Sequence, residues 1–189
     1  MTKVTLYFFV FFLSVPNLVM AEVREDFSYK WYSVFYKPGQ SLSKALSLST
    51  PIRGDSGNKF RGNMRWNIKW KFETAMNESG QCYIVNNHTD LTLVMTIPGI
   101  ITSDKKVKTR FDHYLKRLKV HEMGHADIAR IGAEQIDKGI LALPPMQSCQ
   151  RLSKAADTLG NRTLSLVSQK SEQYDKATQY GKTQGASLK

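Results

Sequence analysis

Cysteine, histidine and acidic side chains are all scarce in this chain, and each shortage narrows what it can be. The two cysteines are Cys82 and Cys149. In an oxidising compartment an even pair most simply forms one disulfide, whereas a cysteine spent on a metal would leave the other thiol unpaired. Chain-entropy reasoning puts such a bridge at about 4 kcal/mol. Acidic residues number 16 against 27 Lys and Arg, a net charge of +11. That balance suggests attraction to anionic envelope surfaces or acidic substrates. The basic residues are scattered and no recognition motif accompanies them, so specific nucleic-acid binding is not expected. No apolar run after residue 21 approaches the roughly 20 residues that a spanning helix needs.

The first residues read as a secretory signal peptide. Lys3 gives a basic start, Val4 to Val15 is apolar and aromatic, and Val19-Met20-Ala21 has the small-residue character of a cleavage site. Cleavage is expected after Ala21, which makes the product secreted or periplasmic with no transmembrane segment left. What remains is 168 residues (189 minus 21) with a charge of +10, because Lys3 is the only charged residue removed. This length suits a single domain over residues 22–189.

Strand signals fill the first half. Tyr29 to Tyr36 is aromatic and β-branched, and Pro38-Gly39 ends it. Ser41 can cap a short helix through Leu48, stopped by Pro51. Trp66, Ile68, Trp70 and Phe72 alternate with polar residues, as in a half-buried strand, and the tryptophans read as core. Asn77 to Gly80 predicts a turn. Cys82 to Ile97 predicts a strand or strand pair, with a bend at Asn86 to Asp90 and an end at Pro98-Gly99. The second half reads as helix from Val107 to Ile140, stopped by Pro144-Pro145, and again from Gln147 to Tyr180 with a break at Gly160-Asn161. No internal repeat is present. Strands followed by helices predict an α+β fold: an antiparallel sheet, then a long motif helix and a C-terminal helical stretch.

Residues 121 to 125 read His-Glu-Met-Gly-His. On a helix, positions four apart share a face one turn from each other, so His121 and His125 can offer nitrogens to one metal ion. Both fall on the apolar stripe Phe111, Tyr114, Leu118, Ile128, Gly132 and Ile136. Two unpartnered histidines stacked there would be costly, and a shared cation removes the cost. Zinc suits two imidazoles and lowers the pKa of bound water from about 16 to about 7. Glu122 is then placed as the general base of a peptidase.

A catalytic zinc usually has a third protein ligand. Asp127 and Glu134 point to roughly the opposite face of the helix, and His113 lies about 12 Å down the axis. Gly124 and Ala126 leave room for another segment. The donor is therefore expected in the C-terminal helix, from Glu172, Asp175 or Tyr180, with His88 a weaker alternative.

These features together resemble the bacterial family of secreted Zn-dependent proteases catalogued as domain of unknown function 922. The resemblance rests on the leader, Tyr32-Ser33-Val34, Gly39-Gln40-Ser41, Pro51-Ile52, the Trp66 to Phe72 strand, and Cys82. It continues through Phe111-Asp112-His113-Tyr114 before the His-Glu-x-x-His motif, and through Tyr174-Asp175, Thr178 and Gly181 to Ala186. By resemblance, His121 and His125 bind zinc and Glu122 is the catalytic carboxylate. The family pattern commonly places a histidine before the glycine matching Gly181, where this chain has Tyr180. Tyr180 is then either the third ligand as a phenolate or an aromatic covering the edge of the site, with Asp175 as substitute ligand or as an acceptor that orients a histidine.

The sequence thus predicts a zinc peptidase acting on peptides or cell-wall peptides. The alternative is a zinc-stabilised, non-catalytic binding protein of the cell envelope.

Overall fold

A computed structural model describes residues 23–54 and 57–188. The signal-peptide reading of residues 1–21 lies outside the described residues. The order of elements is β1 (Val23–Phe35), α1 (Leu42–Ser49), β2 (Asn63–Met76), β3 (Cys82–Ile101), α2 (Lys105–Leu141), α3 (Cys149–Thr178) and a short 3₁₀ turn, η1 (Lys182–Gln184). This is the α+β arrangement expected from the sequence. No helix among the described residues is long and apolar enough to cross a membrane.

The helices begin where their caps predict. Ser41 Oγ accepts from the Lys44 amide, and Ser148 Oγ accepts from the Arg151 amide. Asp104 takes both the Lys106 and Val107 amides, which starts α2 at Lys105, two residues before the expected Val107.

The three strands lie in the order β1-β3-β2. β2 and β3 form the expected antiparallel pair, joined by the Asn77–Gly80 turn, but β1 runs parallel to β3, so the sheet is mixed rather than antiparallel throughout. The bend foreseen at Asn86–Asp90 is not there, and β3 continues through it as strand, with only a register shift at Val85 beside Asn86. Asn and Asp signal turns when their side chains bond locally. Here Asn87 Nδ2 and Thr89 Oγ1 instead donate to Asp137 of α2, at 2.7 and 2.8 Å, inside the core. Nor does Pro98 end β3. The β2 pairing stops at Thr96, so from there the strand has β1 alone as neighbour, and a proline without an N–H is tolerated on a free side.

Central β3 buries Leu91, Leu93, Met95 and Ile97 almost completely. At about 2 kcal/mol for each such side chain, this row is the main apolar anchor for α2. Ile68 packs in the same cluster, flanked by partly buried Trp66, Trp70 and Phe72, which confirms the tryptophans as core. α3 lies against α2 and is unbroken at Gly160. That glycine seats the Trp70 ring, which would stand 2.3 Å from any Cβ there. Cys82 and Cys149 form the expected disulfide. It holds the start of β3 to the start of α3, reinforced by a two-way backbone pairing of Cys82 with Met146.

Candidate metal centre

α2 packs its His-Glu-Met-Gly-His turn against the last two turns of α3. His121, Glu122 and His125 are all buried, at 4, 4 and 8% exposure. The Nε2 atoms of both histidines lie 3.1 Å from the same atom, Asp175 Oδ1. These three residues form a cluster able to hold a metal ion, with their ligand atoms within 4.8 Å of one another.

The surroundings orient each ring. His121 Nδ1 lies 3.0 Å from Gln184 Oε1, and Gln184 Nε2 donates to the Tyr174 hydroxyl at 2.9 Å. The Tyr174 hydroxyl in turn donates to the His121 carbonyl at 3.1 Å. The Gln184 amide is thus committed in one orientation, with its oxygen toward His121. His121 Nδ1 then donates to Gln184, and in the neutral ring this puts the lone pair on Nε2. In the neutral ring that lone pair faces a carboxylate oxygen at 3.1 Å, a contact that either a proton on Nε2 or a shared metal cation makes favourable. His125 Nδ1 pairs with Ser171 Oγ at 2.6 Å. The Tyr174 ring stacks on His121, 10° from parallel, and meets His125 edge-on.

Ligand atoms about 2.0–2.1 Å from a tetrahedral zinc stand roughly 3.3 Å apart, close to the 3.1 Å from each Nε2 to Asp175 Oδ1. The donor set of two nitrogens and one carboxylate oxygen fits such an ion.

Electrostatics agree with the geometry. Burial pushes the Glu122 carboxyl up to about 7, partly offset by the two histidines and by a hydrogen bond from the Met64 backbone N–H. Burial would also raise Asp175, but hydrogen bonds from His121 and His125 prevail and hold it down at about 2. For His121, burial works against the charged form, yet Asp175, Glu122 and Gln184 outweigh it and raise its pKa.

The centre forms the floor of an open cleft of 590 Å³. One wall is the segment between α1 and β2, including Phe60 and Arg61. The other is the end of α3 and η1, with Asp175, Tyr180 and Lys182. Tyr180 is half exposed, and its ring meets Phe60 across the cleft at 5.6 Å. It stands in the wall, whereas Asp175 is the residue brought to both imidazoles. Glu172 is exposed on α3, and His88 is exposed on β3 beside Asn86. Neither joins the cluster.

A family model matches the chain over residues 29–182, from β1 through the whole cluster to the start of η1. The chain belongs to that family. Its description is "Bacterial protein of unknown function (DUF922)". No curated protein and no solved structure matches this DUF922 chain.

Sequence reasoning missed Ser171 and Gln184 as partners of the histidines in this DUF922 member. Ser171 lies one helical turn before Asp175, so once Asp175 is a candidate the spacing points to it. Gln184 gives no such signal. It arrives through a reversal in which Gln179 and Tyr180 have φ of 49° and 54° and Gly181 has φ of 80°. A Cβ at Gly181 would also stand 3.0 Å from the His121 ring.

Proposed function

We propose that this protein is a zinc-dependent peptidase, with His121, His125 and Asp175 as ligands and Glu122 as general base. The observation that carries the reading is the convergence of both Nε2 atoms on Asp175 Oδ1 beside a buried glutamate, at the bottom of an open cleft. Ligand identity moves here from Tyr180 to Asp175, and Tyr180 becomes a wall of the substrate path. Zinc, when bound, supplies Lewis-acid activation of water and of the substrate carbonyl.

The chain's own residues supply the rest. Gln184 and Tyr174 fix the His121 ring, and Ser171 steadies His125, so the donor atoms are in place before any ligand arrives. Glu122 is held by the Met64 amide at the start of β2. It accepts a proton from the attacking water and delivers it to the leaving amine, while the peptide C–N bond breaks and a C–O bond forms. The disulfide and the signal-peptide reading support a secreted or periplasmic site of action.

Glu122→Gln tests the role directly. The variant should keep its zinc, because no ligand is changed, and should lose at least about a hundredfold in hydrolysis, the lower end for general-base removal. Zinc content measured beside turnover of a peptide mixture gives the answer. Full activity in the variant would rule out Glu122 as the base.

A further inference from the structure

The charges lining the cleft bear on what it accepts, an inference that rests on the peptidase reading. Among the described residues lining it, the carboxylates are Glu122 and Asp175, both at the centre itself. Around them stand Arg53, Lys59 and Arg61 on one wall and Lys182 on the other. None of these four cations is ion-paired with a described carboxylate.

Three of the four are held by neutral oxygens instead. Arg53 Nη1 donates to the Thr50 carbonyl at 2.8 Å, and Lys59 Nζ donates to the Ser47 carbonyl at 3.0 Å. Arg61 Nη2 donates to Ser43 Oγ at 2.6 Å and Ser47 Oγ at 3.1 Å. Such partners fix where a cation sits without cancelling its charge. Elsewhere the chain does neutralise cations: Arg130 takes both Glu25 and Asp127, and Lys108 and Lys138 each take an acid one turn away. Cations on the two walls, paired with no described carboxylate, raise the local concentration of anions and favour a ligand that is itself acidic.

We propose that the cleft selects peptide segments bearing Asp or Glu side chains beside the bond that is cut. Arg53, Lys59 and Lys182, all exposed, are the specificity-determining residues. Arg61, half-buried among the α1 serines, anchors the wall that carries the first two.

The test uses three fluorescent peptides of one length whose flanking residues are acidic, amide or basic. Binding to zinc-loaded Glu122→Gln protein is measured at low salt. The acidic peptide should bind roughly tenfold more tightly than the amide one, with the preference collapsing when salt shortens the screening length. In an Arg53→Gln, Lys59→Gln, Lys182→Gln triple variant the preference should also collapse. Equal binding of acidic and amide peptides, or a preference unchanged in the triple variant, overturns the assignment. So does an anionic polysaccharide that competes more strongly than the acidic peptide. The kcat/KM of the unmodified protein on the same peptides repeats the test without any variant. Cleavage with no acidic preference overturns this inference and upholds the peptidase. Charge-selective binding with no cleavage overturns the peptidase and leaves the acidic ligand standing.

Discussion

Gly62 and Gly124 flank the centre, one on each side, and each is occupied by a neighbour where a side chain would begin. A Cβ at Gly62 would lie 2.4 Å from Glu122 Oε1 and 2.8 Å from Leu118 Cδ1. A Cβ at Gly124 would lie 2.1 Å from the Tyr174 hydroxyl. The two contacts differ in what can give way. Glu122 ends in a carboxylate that a rotamer change can swing aside, whereas Tyr174 is a rigid ring pressed on both histidines. Gly62→Ala should therefore cost little stability, about 1 kcal/mol, and leave zinc bound, yet depress kcat because the base has moved. Denaturant unfolding, zinc content and turnover of the one variant separate these effects. A Gly62→Ala protein with normal turnover would mean that the base does not need the position seen here. At this scale the sequence was informative where chemistry is local. The His-Glu-x-x-His spacing put His121, Glu122 and His125 on an inward face, where all three are buried, and the small residues after His121 announced a close approach. It was uninformative on Tyr180 against Asp175, because it does not say that α3 ends at Thr178, which keeps Asp175 on the helix face toward α2 and puts Tyr180 in the reversal beyond it.

α3 and η1 contribute Asp175, Ser171, Tyr174 and Gln184, so the end of the chain completes what α2 begins. The Gln184 contact depends on backbone that leaves α3 through two left-handed residues and Gly181. Gln184→Ala removes the acceptor of His121 Nδ1 and the donor to Tyr174 while touching no ligand. Zinc affinity should fall about 10- to 100-fold, the range for losing an outer-shell partner. Competition with a chromogenic chelator reads that change, and an unaltered affinity would show that the ring is held by packing alone. Element types were legible in the sequence because apolar periodicity is long and clean in α2, α3 and β2. Strand direction was not legible. The parallel entry of β1 beside β3 is set by long-range pairing, for which adjacent residues carry no code. The false bend at Asn86–Asp90 has the same origin, since Asp137, 50 residues beyond Asn87, turns a turn-like sequence into a buried strand.

The molecule as a whole is held by an apolar cluster joining the sheet to α1, α2 and α3, and by a disulfide closing a 67-residue separation. The bridge alone stabilises by about 4 kcal/mol in the chain-entropy account. Neither device needs a metal. Chelation should therefore abolish hydrolysis and lower the melting temperature, by the linkage that any native-state ligand gives, while a cooperative transition persists. If the zinc were only structural, chelation would remove the folded state. Circular dichroism melts with and without chelator distinguish the enzyme from the envelope binding protein. The charge excess was plain in the composition, but its concentration on the two walls of one cleft came only from the fold, because Arg53 and Lys182 are remote in the chain.

Which side chains grip the metal decides what this centre is, and zinc analysis of the purified protein is the shortest route to that. Unmodified protein should carry close to one zinc per chain. His121→Ala and Asp175→Asn should carry almost none, and Tyr180→Phe should retain its full complement. Zinc-free protein that takes up no added zinc, or a Tyr180→Phe variant that loses zinc while Asp175→Asn keeps it, would contradict the centre described here.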